Sequence, residues 1–295
     1  MRKSSVIRCA AGLLAALFAN IALSTSSGFA RESTAVDFQQ IAGLKVAVWL
    51  PEKTTPGPWP IIIFSHGFHG CAQQSTFLTK ALAASGYAVF APDHRDAGCA
   101  DMRAWLERPA TPFRDPHKWD ASTYADRAHD VERLLDALAK DPRYRSPPFD
   151  WQHVGLIGHS LGGYTVLSVG GAWKDLKDPR IKAVLALSPY SSPFITHQTL
   201  GGIDAPLMYQ GGTHDFGITP FIAKANGAYD QTPAPKYFVE FDGAGHFAWT
   251  DLQDSYHVAI IDYSIAFLDR YLKGKPFPPA LTQVHKGVTV VKLKE

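Results

Sequence analysis

The run Val154-Gly-Leu-Ile-Gly-His-Ser-Leu-Gly-Gly-Tyr-Thr-Val166 constrains the fold more than any other stretch of the chain. It reads as a buried strand, a sharp turn and a helix, with Ser160 alone at the apex. The turn Gly158-His159-Ser160-Leu161-Gly162 matches the G-x-S-x-G pattern of a nucleophile elbow. A serine on so tight a turn sits in a strained backbone conformation and needs neighbours without bulk. Glycine at 158 and 162 lets strand and helix approach closely. The hydroxyl then stands clear of the sheet at the positive end of the helix dipole. The bland alternative is a Gly-rich strand–helix turn that only packs.

The first thirty residues read as a leader. Arg2, Lys3 and Arg8 precede an apolar run from Cys9 to Leu23, and Gly28-Phe29-Ala30 ends it with small residues. This is the pattern of a secretory signal peptide cleaved after Ala30, which leaves residues 31–295 as one domain, secreted or periplasmic, with no membrane span in the mature chain. Two cysteines then remain, Cys71 and Cys99. An oxidising compartment favours a Cys71–Cys99 disulfide, against the alternative of two separate buried thiols. The net charge of +2 comes with no basic stripe, so nucleic acid is not an expected partner. Oligomeric state is left open.

Leu44–Leu50 alternates with period two and predicts a half-exposed strand. Ile61–Phe64, Tyr87–Ala91, Val154–Ile157 and Ile181–Leu187 are continuous apolar runs, as strands covered on both faces should be. Pro206–Gln210 and Tyr237–Phe241 predict two more strands, and Gly287–Leu293 an edge strand. Helices are expected over Ser75–Ala84, Tyr124–Leu138 and Tyr256–Tyr271. Arg95–Trp119 reads as a long irregular stretch. Strands alternating with helices predict an α/β fold, a mainly parallel central sheet with helices on both faces.

A serine hydroxyl needs a base within hydrogen-bond reach, and the base needs an orienting acid. In such sheets the site lies beyond the carboxyl ends of the strands. Two loops downstream of Ser160 qualify. Asp215 follows the strand ending at Gln210, and His246 lies in Asp242-Gly-Ala-Gly-His246-Phe after the strand ending at Phe241. The order Ser160, Asp215, His246 is the one such a fold requires. Asp242 and Asp204 are rival acids, and His159, His214 and His257 rival histidines. For an oxyanion hole the expected donors are the backbone N–H groups of Leu161 and of Phe68, in the loop Ser65-His-Gly-Phe-His-Gly70. Phe68, Tyr190, Trp105 and Phe247 are candidate walls of an apolar pocket, or simply core. His66 and His69 lack a companion set of Cys, His or carboxylate groups, so no metal is expected.

Phe64-Ser-His-Gly-Phe, Gly86-Tyr-Ala-Val-Phe-Ala-Pro-Asp-His, Gly158-His-Ser-Leu-Gly-Gly and Gly243-Ala-Gly-His-Phe together resemble the α/β-hydrolase superfamily over essentially the whole mature chain. Within it the chain is similar to the dienelactone-hydrolase-like and platelet-activating-factor-acetylhydrolase-like esterases, and to the bacterial cutinase and polyesterase group. The resemblance implies a serine esterase without cofactor acting on small-molecule or lipid-like esters. It assigns the nucleophile to Ser160, the base to His246 and the acid to Asp215. Tyr190 after Pro189 occupies the place of a polyesterase aromatic, whereas the Arg95–Trp119 stretch is longer than that group's pattern. An amidase or peptidase with the same three residues, or a hydrolase fold retained only for binding, are the other readings.

Overall fold

In a computed structural model, which describes residues 36–99, 106, 108, 109 and 111–295, the apolar runs become the middle of a nine-stranded sheet. The strands are β1 (Asp37–Ile41), β2 (Leu44–Trp49), β3 (Trp59–Ser65), β4 (Ala88–Pro92), β5 (Phe149–His159), β6 (Ile181–Leu187), β7 (Leu207–Gly212), β8 (Lys236–Phe241) and β9 (Val288–Lys294). Their spatial order is β1-β2-β4-β3-β5-β6-β7-β8-β9. The strands from β4 to β8 run parallel, and β1, β2 and β9 close the two sides antiparallel.

Every residue of β3 is buried. Ile61 and Ile63 face one core while Ile62 and Phe64 face the other, so side-chain alternation turns a continuous apolar run into a two-faced wall. Each such side chain contributes about 1.5–3 kcal/mol by leaving water. Helices α1 (Thr76–Ala84), α2 (Ala125–Lys140), α3 (Leu161–Leu167), α4 (Ser192–His197), α5 (Thr219–Ala223), α6 (Ala228–Gln231) and α7 (His257–Leu272) cover the sheet. Val131, Leu134, Leu135 and Leu138 of α2 form the expected buried stripe on one side. Leu78 and Leu82 of α1 pack with Ile260, Phe267 and Leu268 of α7 on the other.

One expectation changes. The strand from Leu44 is not half-exposed: only Lys45 of β2 faces solvent, because β2 lies between β1 and β4 and not at the sheet edge. The neighbour responsible, β1, carries the sequence Asp-Phe-Gln-Gln-Ile, too polar to register as a strand. Ala42 and Gly43 both have positive φ (52° and 73°), the geometry of a two-residue hairpin turn, and they pair Ile41 with Leu44. The edge strand expected at 287–293 forms as β9. Of the irregular stretch, the described part includes a short 3₁₀ turn at Pro116–Lys118 and the buried Trp119.

The leader expected over residues 1–30 and Trp105 lie outside the described residues. Cys71 and Cys99 are joined in a disulfide. A closed loop of that length stabilises the fold by roughly 3 kcal/mol in the chain-entropy picture.

At the elbow the glycines act as expected. A Cβ on Gly158 would collide with the Gly162 carbonyl, and a Cβ on Gly162 with the Ser65 carbonyl of β3. Gly201, by contrast, has open space where a Cβ would go. We therefore expect Gly162→Ala to cost more than ~3 kcal/mol or to prevent folding, and Gly201→Ala to stay within about 0.5 kcal/mol, as read by thermal melts.

Candidate active site

The register of the parallel strands aligns their carboxyl ends. Ser65 of β3 lies beside Gly158 of β5, His159 beside Leu187 of β6, Leu187 beside Gln210 of β7, and Gly212 beside Phe241 of β8. Side chains just past these positions therefore share one rim. Ser160 sits between β5 and α3 with φ 56° and ψ −115°, a conformation that L-residues seldom adopt. Its N–H donates to Leu187 O (3.1 Å), and its carbonyl accepts from the Tyr164 (3.1 Å) and Tyr190 (3.0 Å) N–H groups. These bonds over-determine the turn.

Ser160 Oγ is 2.8 Å from His246 Nε2. His246 Nδ1 lies 3.2 Å from Asp215 Oδ1. A third group joins them: Ser188, in the first position after β6, places Oγ 2.9 Å from His246 Nδ1 and donates its hydroxyl to Asp215 Oδ2. Asp215 is buried, and His246 is partly open to the cleft. The rival groups lie elsewhere. Asp242 is exposed, Asp204 pairs with Lys177, His214 is exposed, and His257 stacks on Phe77. Leu161 is the first residue of α3, where helix geometry leaves its N–H without an intrahelical acceptor. Gly67 and Phe68 line the same cleft as Ser160.

The family described as serine aminopeptidase, S33 (Hydrolase_4) matches residues 57–200. An S-formylglutathione hydrolase of Bos taurus is 28% identical over 169 residues, 52% of this chain and 54% of that protein. Cutinase est2 of Thermobifida alba is 24% identical over 217 residues, 72% and 59% respectively. A platelet-activating factor acetylhydrolase of Cavia porcellus is 26% identical over 174 residues, 50% and 38%.

The chain has the α/β-hydrolase fold.

Alignment with these hydrolases spans roughly 40–60% of each relative's length. The cleft above Ser160 has a volume of about 460 Å³. Phe68, Tyr190 and Phe247, three of the four expected walls, line it, together with Phe113, Ile218 and Arg114. Phe113 had no motif to mark it. It packs edge-on against Phe68 (5.8 Å between centroids) and Tyr190 (5.0 Å), and its carbonyl accepts the Tyr190 hydroxyl at 2.5 Å. Ser188 could have been found by the strand-end argument that located Asp215 and His246. Gln74 also lines the cleft, and only its tertiary contacts reveal it.

Beneath the rim lies a second layer of buried polar groups. Arg127 of α2 is fully buried and makes a two-bond ion pair with Asp96 (3.0 and 2.8 Å). Leaving either charge alone would cost about 3–5 kcal/mol. Burial by itself would raise the Asp96 carboxyl, but Arg127 beside it holds it down at about 2. Ser65 Oγ, His94 and Asp130 form a Ser-His-Asp chain of their own, at 2.9 and 2.8 Å, yet Ser65 is wholly buried and no substrate reaches it. His66 is held in this layer too: its Nε2 accepts the His94 N–H (3.0 Å). Among the described residues no cluster of three or more His, Cys, Asp or Glu side chains could hold a metal.

Burial, reinforced by Arg127, drives His66 down to about 3 and His94 well below its usual 6.5. Burial, with His246 nearby, drives His159 to about 3. All three are neutral in the folded protein. The unfolded chain takes up their protons as pH falls through 6.5, while the fold takes them up only well below that, at about 3 for His66 and His159, so stability is lost as pH falls below 6.5. The expected melting temperature is flat from pH 8 to 7 and lower by roughly 5 °C or more at pH 5. Thermal unfolding against pH checks this. Ser188→Ala should slow fluorophosphonate labelling of Ser160 by about 10-fold while leaving the melting temperature nearly unchanged, since an acid–base pair must be held in register to act.

Proposed function

We propose that this α/β-hydrolase is a serine esterase that works through an acyl-enzyme. The observation that carries the reading is the 2.8 Å contact of Ser160 Oγ with His246 Nε2 at the floor of an apolar cleft. In this reading Ser160 attacks the ester carbonyl as His246 takes its proton. Asp215 and Ser188 keep the proton-bearing Nδ1 side of the imidazole oriented and favour the imidazolium that forms. The N–H groups of Phe68 and Leu161 receive the developing oxyanion. His246 then protonates the departing alkoxide, and water releases the acid by the same steps in reverse order of roles.

Relatives named as cutinase, phospholipase A1 and platelet-activating factor acetylhydrolase favour an ester as the bond cleaved. The family description, a serine aminopeptidase, keeps an amide as the second reading. Small-molecule or lipid-like esters suit the cleft's walls of Phe68, Phe113, Tyr190, Ile218 and Phe247. The leader over residues 1–30 supports a secreted or periplasmic location after cleavage at Ala30, and the Cys71–Cys99 disulfide fits an oxidising compartment. No helix among the described residues is long and apolar enough to cross a membrane.

Purified mature protein offered nitrophenyl butyrate and the matching nitroanilide should cleave the ester at least about 100-fold faster, and Ser160→Ala should lower ester turnover by roughly 10⁴-fold or more. Turnover that survives Ser160→Ala would overturn the reading. Anilide cleavage as fast as ester cleavage would move it to an amidase. N-terminal sequencing of the exported protein should begin at Arg31.

A further inference from the structure

The loop Ser65-His66-Gly67-Phe68 carries two peptide groups beside Ser160, and three of their four polar ends are already taken. The Gly67 backbone packs so close that a Cβ there would lie 3.4 Å from Ser160 Cβ and 3.1 Å from His159 Nδ1. In the first peptide, His66 O accepts from Arg127 Nη1 (2.7 Å) and the Gly67 N–H donates to Gln74 Oε1 (2.8 Å). In the second, Gly67 O accepts from Arg127 Nη2 (3.2 Å), from His66 Nδ1 (2.7 Å) and from the Gly70 N–H (3.0 Å). A trans peptide is planar, with N–H and C=O pointing opposite ways. Pulling the Gly67 carbonyl down onto Arg127 therefore turns the Phe68 N–H up toward the cleft.

The clamp has its own supports. Arg127 is fixed from below by Asp96. Gln74 reaches the loop across Gly70, where a Cβ would strike its Oε1. Its Nε2 donates to His159 Nδ1 (3.0 Å), and His159 Nε2 donates to His246 O (2.8 Å). A neutral imidazole supplies this accept-and-donate pair, with its proton on Nε2. One hydrogen-bonded strut thus ties the loop of Phe68 to the loop of His246.

We propose that Arg127 and Gln74 are positioning residues that hold the Gly67–Phe68 peptide with its N–H aimed at the oxyanion. Neither touches the reacting carbonyl in this role; both act through the peptide. The inference rests on the esterase reading above. A donor set before the reaction starts needs no reorganisation as charge develops, so losing its aim harms the transition state and spares the ground state.

The test uses mature exported protein and three variants. Arg127→Lys keeps the charge but cannot span both carbonyls and Asp96. Gln74→Leu keeps the shape but loses the acceptor for Gly67 N–H. Asp269→Asn, on α7, weakens bonds to Tyr87, Lys273 and Lys275 far from the loop, and controls for stability alone. For the first two, kcat on a nitrophenyl ester should fall by about 10- to 100-fold with KM within 2-fold. The Ki for a trifluoromethyl ketone, whose hydroxyl adduct mimics the oxyanion, should rise by the same factor as kcat falls. Asp269→Asn should lower the melting temperature with kcat unchanged. If Arg127→Lys fails to fold, Gln74→Leu decides. Folded variants with kcat and Ki within 3-fold of the parent overturn the clamp, as does a loss seen only in KM or equally in Asp269→Asn. Ester turnover that persists in Ser160→Ala sinks the esterase reading itself, which is a separate failure.

Discussion

The site depends on backbone meeting backbone where side chains would normally intervene. β3, β5 and α3 converge at Gly158 and Gly162 so tightly that no Cβ fits at either position. That approach forces Ser160 into its unusual φ and ψ, since the chain must turn from strand to helix within one residue. The hydrogen bonds from Leu187, Tyr164 and Tyr190 then hold the turn. Strain at a functional residue persists when the surroundings leave no alternative, and here they are β3, buried along its whole length, and the buried carboxyl half of β5. The hydroxyl's position is a property of the fold's centre, with little contribution from mobile surface loops.

Charge is treated differently above and below that rim. Below it, Arg127, Asp96, His94, His66 and Asp130 lie in the interior, and each buried polar group has a partner. The two ring systems closest to the loop, His66 and His94, stay neutral because burial disfavours their charged forms and a cation is already beside them. Above it, the cleft is mainly aromatic and aliphatic, and Arg114 is its one charged lining residue among those described. The two layers contain the same kind of Ser-His-Asp chain. Only the upper one, through Ser160, opens on a space that a substrate can enter, so access and not residue type separates chemistry from scaffolding.

Much of this was legible in the sequence. The parallel core announced itself through apolar runs too long and too uniform for any other role, as in Ile61–Phe64 and Ile181–Leu187. The elbow and the two downstream loops were readable because steric need and strand-end placement leave few choices. What stayed hidden has a common cause. Strand β1 is polar and owes its existence to the hairpin turn at Ala42-Gly43. Gln74 and Phe113 carry no pattern of their own, and their importance comes from partners 77 to 85 residues away. On α2 a helical wheel puts Arg127 within the apolar stripe and Asp130 at its margin, and both are buried charges because the layer beneath the loop needs them to satisfy its carbonyls and imidazoles.

The two outermost strands also bear on how this protein behaves in a crowded solution. Unpaired sheet margins invite strands from neighbouring molecules. Here β1 offers Asp37 and two glutamines, and β9 ends in Lys292 and Lys294, all exposed or half-exposed. A new molecule docking there would have to desolvate those groups. The apolar interior, with nearly every strand covered on both faces, is thereby fenced at either margin by residues that favour water, which keeps a Val- and Ile-rich sheet from seeding fibrous self-association.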